Sequence, residues 1–301
     1  MTGETPTGSL YLAAAELVGA LRRRTNGRLR PHRGPTGGDQ LGLRRGAGVE
    51  FADHRAYAPG DDLRRLDWRA YARQDKLFIK RFDQSVHNTT LVMLDASASM
   101  NLADPVDGGD VDKWWRVRVL AAATLLYVSE SGQPIGLRLT HPDHPRTLRG
   151  SPRELITALE TLSAAGSVDL SEGQIHNDGA AWASVMAMSD CLSPPEDCVR
   201  ALAHLRRHGA NVVLCQTMHP LELGFDFGGP VNLECPESGD AMQVQPALIG
   251  ERYRQMMRDH CQALKTCCHS GGIRHQLVDL GQSQLLQLSE ALTALRQGGR
   301  A

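Results

Sequence analysis

The residues best suited to chemistry are three oxygen-bearing side chains at alternate positions directly after an apolar run. The stretch TTLVMLDASASM places Asp95, Ser97 and Ser99 at the end of this run. Carboxylate and hydroxyl oxygens are the ligands that hard divalent cations prefer. We therefore predict a site for Mg²⁺, with Mn²⁺ or Ca²⁺ as alternatives. A second carboxylate, Asp190, follows the apolar run SVMAMS and can complete the shell through a water.

Two neutral hydroxyls leave most of the charge of such a cation uncompensated, so it can attract an outside anion such as a partner's carboxylate. A simpler alternative is that Asp95 and Ser97 only cap the next turn, as Asp and Ser often do. A phosphatase of the haloacid dehalogenase type needs a second carboxylate where Ser97 stands. A metal-dependent hydrolase, phosphatase or nuclease, using Asp95 and Asp190 is the remaining enzymatic alternative. The sequence shows no positioned base, so we assign no catalytic residue.

Apolar strands and amphipathic helices alternate from about residue 77, which predicts an α/β fold with a doubly wound, mostly parallel sheet. Ligands bind such sheets at the carboxyl ends of the strands, near the point where the strand order reverses. In the order 3-2-1-4-5-6, with TTLVMLD as the first strand and AWASVMAMSD as the fourth, the strands that precede Asp95 and Asp190 are neighbours.

Residues 1–76 are interpreted as an N-terminal region and residues 77–301 as the sheet domain. The N-terminal region begins with a helix near Ser9, followed by a basic arm rich in Gly, Pro and Arg. Its last part is dense in opposite charges that form either a structural salt-bridge lattice or a docking surface beside the metal. The residues assigned to this role are Arg55, Tyr57, Asp61, Asp62, Arg64, Asp67, Trp68 and Arg73.

The segment DASASM resembles the metal-ion-dependent adhesion site of von Willebrand factor type A domains. In those domains an Asp-x-Ser-x-Ser motif ends the first strand and a further Asp ends the fourth, as Asp95, Ser97, Ser99 and Asp190 do here. The resemblance implies a von Willebrand factor A-like fold. That family also uses a threonine from an intervening loop. The corresponding loop AAGSVDLSEG has no threonine, and Ser167 is the nearest hydroxyl.

The chain also resembles the bacterial Domain of Unknown Function 58 family over roughly residues 35 to 295. The family hallmark reads Arg-x-Tyr-x-Pro-Gly-Asp-Asp-x-Arg-x-x-Asp-Trp-x-x-x-Ala-Arg, followed by a strand and Asp-x-Ser-x-Ser-Met. Those positions are filled by Arg55, Tyr57, Pro59, Gly60, Asp61, Asp62, Arg64, Asp67, Trp68, Ala72 and Arg73. The resemblance implies a cytosolic adaptor that works with a MoxR-type AAA+ ATPase in a chaperone-like or assembly role.

Composition agrees with a cytoplasmic protein. The formal net charge of −1 favours neither nucleic acid nor an anionic membrane as a partner, although the arginine-rich arm leaves such contact as a weaker idea. No segment reaches the length of a membrane span, and the first residues do not resemble a signal peptide. Seven cysteines, two of them adjacent, argue against a secreted disulfide framework. The Cys and His residues near position 265 lack the Cys-x-x-Cys pairs of a zinc site.

Overall fold

The structure, a computed structural model, describes residues 9–25, 49–56, 77–84, 89–102, 112–130, 132–141, 146–167 and 182–297. The chain divides into two compact units, residues 33–87 and residues 1–32 together with 88–301. The division expected from the sequence falls at residue 76. In the structure, the strand Phe78–Gln84 pairs antiparallel with Val49–Ala56 in a two-stranded sheet of the smaller unit.

The helices and strands of the described residues follow the alternation that the sequence predicts. The strands are β1 Val49–Ala56, β2 Phe78–Gln84, β3 Thr90–Asp95, β4 Ile135–Thr140, β5 Arg146–Arg149, β6 Ser184–Ser189, β7 Asn211–Met218, β8 Val231–Glu234, β9 Ala241–Val244 and β10 Arg274–Asp279. The helices are α1 Leu10–Thr25, α2 Lys113–Ser129, α3 Pro152–Glu160, α4 Pro195–Arg207, α5 Pro220–Gly224, α6 Pro246–Ser270 and α7 Gln284–Gln297.

The larger unit is built on a six-stranded sheet in the order β10-β7-β6-β3-β4-β5, with β5 antiparallel to β4 and all other pairs parallel. When the six strands are numbered in chain order with β3 as the first, this sheet has the predicted order 3-2-1-4-5-6, read from the β5 side. The predicted α/β fold with a mostly parallel sheet is therefore confirmed. In the register of β3 and β6, Leu94 lies beside Met188, so the chain leaves both strands at the same edge of the sheet.

The central strands are apolar because both faces of the sheet are covered. Successive residues of β3 alternate between two separate core clusters: Val92 and Leu94 join the cluster formed with helices α1, α2, α3 and α7. Leu91 and Met93 join the cluster formed with α4 and α6. Every residue of β3 is buried, Asp95 included. Because helices cover both faces of the sheet, the polar residue at the end of this strand is buried as well.

The predicted helix near Ser9 is α1, and it packs against α2 within the larger unit. The predicted capping box of α3 is present, because Ser151 Oγ accepts from Glu154 N while the Glu154 carboxylate accepts from Ser151 N. The β5 strand and the single-turn helix α5 are elements that the sequence reading did not predict. Among the described residues, no helix combines the length and the apolar character that crossing a bilayer requires.

Gly136 of β4 provides a test of the packing at the sheet. A Cβ at this position would lie against the ring of Trp182, with Trp182 Cζ3 2.9 Å away. Trp182 is 6% exposed, and the Arg149 guanidinium lies over it at 4.9 Å from the ring centroid, so the ring has little room to move. We expect Gly136→Ala to lower the free energy of unfolding by about 1–3 kcal/mol, measured by denaturant titration.

Gly228→Ala is the matched control, because nothing lies within 4 Å of the added methyl group. Equal stability of the two variants would contradict the packing of Trp182 over Gly136.

Candidate metal site

Three chain segments come together at the carboxyl edge of the sheet, one after each of the adjacent strands β3, β6 and β7. Asp95 is the last residue of β3, and Asp190 follows β6 directly. Both carboxylates are 3% exposed and Ser97 is 1% exposed, whereas Ser99 is half-buried. The site is therefore enclosed, with its accessible side at Ser99.

Asp95 is held on both of its carboxylate oxygens. Oδ1 accepts a hydrogen bond from the backbone N–H of Ser97 at 2.9 Å, and Oδ2 accepts one from Ser189 Oγ at 2.6 Å. The Ser189 hydroxyl in turn accepts from the backbone N–H of Cys191 at 3.0 Å. Cys191 has a φ of 52°, an uncommon left-handed conformation for a residue other than glycine. This turn after β6 directs its amide back toward the hydroxyl that orients Asp95.

The two motif serines place their hydroxyl oxygens together. Ser97 Oγ and Ser99 Oγ are 3.0 Å apart, so one hydroxyl donates to the other. Two ligands at neighbouring corners of an octahedron, each about 2.1 Å from Mg²⁺, are separated by about 3.0 Å. The spacing of these oxygens therefore suits two adjacent positions of a Mg²⁺ shell. In the described residues no group of three or more His, Cys, Asp and Glu forms a ligand set, so a metal here depends on the hydroxyls.

A lysine that the sequence reading did not single out lies in the middle of this edge. The ammonium of Lys113, the first residue of α2, donates to Asp190 Oδ2 at 2.9 Å and to Glu222 Oε1 at 2.7 Å. It also donates to the backbone carbonyl of Ser99 at 3.1 Å. The side chain is 0% exposed. Asp190, predicted to face the metal, is thus also the partner of an internal cation.

The electrostatics of the site reflect an excess of buried negative charge. Burial, and next the nearby Asp190 carboxylate, raise the pKa of Asp95 to about 6. Burial likewise raises the pKa of Glu222, and Lys113 only partly offsets this rise. Burial alone would lower the pKa of Lys113. The Asp190 and Glu222 carboxylates outweigh that effect, so the pKa lies above its ordinary value and the side chain stays an ammonium.

Asp95, Asp190, Glu222 and Lys113 together supply three carboxylates against one ammonium, a formal charge of −2 when all are ionised. A divalent cation beside Asp95 would neutralise this total. It would also oppose the effects of burial and of Asp190, which raise the pKa of the Asp95 carboxyl. The donor set of Asp95, Ser97 and Ser99 therefore fits a hard divalent cation.

The structure brings together four of the five predicted metal-site residues. Asp95, Ser97, Ser99 and Asp190 share one edge of the sheet, as their strand positions predict. Ser167 is exposed, and its hydroxyl donates instead to Glu237 in the turn between β8 and β9 at 2.8 Å. The backbone of its loop does reach the motif, since Ala98 N donates to the carbonyl of Gly166 at 2.8 Å. The loop is near the site while the Ser167 hydroxyl is engaged elsewhere.

The role of the charged N-terminal residues as a salt-bridge lattice or a docking surface stays a prediction. Arg55 lies on β1, where the structure describes the backbone. The remainder of that set lies outside the described residues, namely Tyr57, Asp61, Asp62, Arg64, Asp67, Trp68 and Arg73.

Sequence reasoning missed Ser189, Lys113 and Glu222, which complete the site. A basic residue at the first position of a helix is disfavoured by the helix dipole, so Lys113 in the stretch DKWW was a visible irregularity. Glu222 stands three residues after His219, the spacing of a capping box, and its Oε2 accepts from His219 N at 2.6 Å. The sequence carried no signal for Ser189.

The pKa of Asp95 predicts a pH dependence of stability. The folded chain holds this proton with a pKa of about 6, whereas an unfolded chain releases it near 3.9. Protonation of Asp95 therefore stabilises the metal-free fold below about pH 4, and this contribution is lost as the pH rises through 6. We expect it to reach at most about 3 kcal/mol.

The measurement is denaturant unfolding with chelator between pH 4 and pH 7, for wild type and Asp95→Asn, which cannot titrate at this position. The stability of wild type relative to the variant should decline across this range. A constant difference between the two proteins would show that Asp95 titrates normally.

Comparison with known proteins places the chain in a family. The sequence pattern described as "Protein of unknown function DUF58" matches residues 53–263, more than half of the chain. The uncharacterized proteins Rv1480 of Mycobacterium tuberculosis and Mb1516 of Mycobacterium bovis are each 25% identical over 224 residues, covering 70% of this chain and 68% of the relative.

Solved structures similar to this chain include the conserved hypothetical protein BatB from Bacteroides thetaiotaomicron, with a TM-score of 0.44 and 11% identity over 71% of this chain and 99% of that one. The von Willebrand factor A domain of SpRpn10 gives a TM-score of 0.39 and 10% identity over 67% of this chain and 93% of that domain. Such low scores and identities say nothing about function. The sequence match over residues 53–263 confirms the resemblance drawn from the hallmark, and the chain belongs to the DUF58 family.

Proposed function

We propose that this chain is a non-enzymatic binding module that holds Mg²⁺ at Asp95, Ser97 and Ser99 and uses it to bind an acidic group of a protein partner. The observation that carries the proposal is the pair of hydroxyl oxygens 3.0 Å apart beside the Asp95 carboxylate, whose pKa burial raises to about 6. When bound, the cation would supply Lewis acidity, because a ligand set with a single carboxylate leaves it a net positive charge.

The groups around this site orient its carboxylates and leave the side at Ser99 accessible. Ser97 N and Ser189 Oγ fix the orientation of the Asp95 carboxylate, so it need not reorganise to accept a cation. Lys113 holds Asp190 Oδ2, and Oδ1 is the oxygen of this carboxylate that would accept a hydrogen bond from a water of the shell. Ser99 is the half-buried member, and an outside carboxylate would therefore approach from its side.

The proposed partner is a MoxR-type AAA+ ATPase, with the chain acting as its adaptor in a chaperone-like or assembly role in the cytoplasm. The support is the membership in the DUF58 family and the hallmark segment that precedes the motif. An adaptor must bind a second protein reversibly. An exchangeable metal ion that accepts a carboxylate from that protein would allow this.

The hydrolase alternative has weaker support. Metal-assisted hydrolysis needs a general base within reach of the attacking water. Two carboxylates that share this edge of the sheet with Asp95, those of Asp190 and Glu222, both accept hydrogen bonds from Lys113. Phosphatase and nuclease assays of the purified protein with Mg²⁺ or Mn²⁺ distinguish the two functions, since turnover that disappears in Asp95→Asn would favour the enzyme.

The test of the binding function uses Asp95→Asn and Ser99→Ala. Asp95→Asn removes the negative charge of the proposed carboxylate ligand and Ser99→Ala removes a proposed hydroxyl ligand, while both largely preserve the shape of the site. Capture of the ATPase should therefore fall at least about tenfold. Capture is measured by surface plasmon resonance with Mg²⁺ and nucleotide held constant, so that the metal requirement of the ATPase itself is the same throughout.

Asp259→Asn, on the exposed side of α6, is the matched control and should bind like wild type. Undiminished capture by Asp95→Asn, with an unchanged circular dichroism spectrum, would refute a role for the metal in partner binding.

A further inference from the structure

Lys113 occupies a position that general physical chemistry disfavours twice. It begins helix α2, where the positive end of the helix dipole opposes a cation. It is also 0% exposed, and lysine is almost never fully buried unless it is paired. Its pairing must therefore offset both costs.

The pairing is complete. An ammonium has three N–H donors, and the Lys113 ammonium reaches three acceptors, Asp190 Oδ2, Glu222 Oε1 and the carbonyl of Ser99, at 2.9, 2.7 and 3.1 Å. These acceptors belong to the segments that follow β6, β7 and β3, three neighbouring strands of the sheet. The side chain thus joins three loops around one positive charge, which is the role that a bound metal ion plays in many sites.

We propose that Lys113 is a fixed internal counter-cation that sets the affinity of this site for divalent metal. Its charge offsets one of the two negative charges of Asp190 and Glu222 and joins the loops without metal, so the Asp95 side remains for an exchangeable cation. This inference rests on the proposed metal-binding function and adds the residues that tune it, Lys113 and Glu222, neither of which is a metal ligand.

The charge balance gives the direction of the effect. Replacing Lys113 by a neutral residue changes the formal charge of the buried cluster from −2 to −3 and frees two carboxylates, so a divalent cation should bind more tightly. Replacing Glu222 by Gln changes it to −1 and should weaken metal binding. Changing both restores −2. A merely steric role for Lys113 would not produce opposite effects from these two substitutions.

The experiment measures Mg²⁺ and Mn²⁺ binding by isothermal titration calorimetry on the chelator-treated 301-residue chain. The proteins are wild type, Lys113→Met, Glu222→Gln and the double variant. We expect the dissociation constant to fall at least about tenfold in Lys113→Met and to rise at least about tenfold in Glu222→Gln. In the double variant it should return to near the wild-type value. Saturating Mn²⁺ should raise the melting temperature of Lys113→Met more than that of wild type.

Arg258→Met and Glu251→Gln are the matched controls, because they remove the same charges from a solvent-exposed pair on α6 and should leave the affinity unchanged. Equal affinities in all four site proteins, or weaker binding by a folded Lys113→Met, would overturn the proposal. If Lys113→Met does not fold, Glu222→Gln decides the matter alone, since unchanged or tighter binding there contradicts it.

The two proposals fail separately. Metal binding by Lys113→Met but not by wild type would support the counter-cation and refute a metal-dependent function of the natural chain. Metal binding by wild type with the same affinity in every variant would refute the counter-cation and leave the metal-binding function supported. Absence of binding in all four proteins would overturn both.

Discussion

Hydrogen bonds among largely buried charged side chains order the carboxyl edge of the sheet, and the geometry of the candidate site depends on them. Lys113 and Asp190 are buried and the Glu222 side chain is 13% exposed, and a buried ion pair is stable only when its hydrogen bonds are nearly complete. Here the three donors of the ammonium are all used, and Glu222 has a second task, because its other oxygen caps helix α5 through His219 N. The edge is therefore ordered by internal contacts, independently of any ligand. Within the part of the chain that the structure describes, the hydrogen bonds to the Asp95 carboxylate come from the uncharged groups Ser97 N and Ser189 Oγ.

This arrangement follows from the topology of the sheet. Parallel pairing of β3 with β6 and of β6 with β7 makes the chain leave all three strands at one edge, and the helices on both faces prevent that edge from opening to solvent. Polar residues at the strand ends then have to satisfy one another. The hydroxyl of Ser189, one residue before Asp190, is an example: the last side chain of β6 bonds to the last side chain of β3.

The sequence was sufficient for the strand order and for placing most of the predicted metal-site residues at one edge of the sheet, because both depend on local patterns. Apolar runs identified the strands, and Asp95, Ser97, Ser99 and Asp190 lie directly after two of them. The residues that were missed belong to contacts between distant segments. Lys113 is 77 positions from Asp190 and 109 from Glu222, and no spacing rule connects such partners. Ser167 shows the converse difficulty, since its loop lies where a ligand was expected but its hydroxyl bonds to Glu237, a residue whose position the sequence did not suggest.

The contact between Lys113 and Glu222 restricts which substitutions the chain can accept during evolution. Losing Lys113 alone leaves the carboxylates of Asp190 and Glu222 without the cation they share, a change that typically costs a protein about 3–5 kcal/mol. Losing Glu222 alone is milder, because Lys113 keeps its pairing with Asp190. Relatives that carry a neutral side chain at the position of Lys113 should therefore also carry one at the position of Glu222, although the two positions lie more than a hundred residues apart.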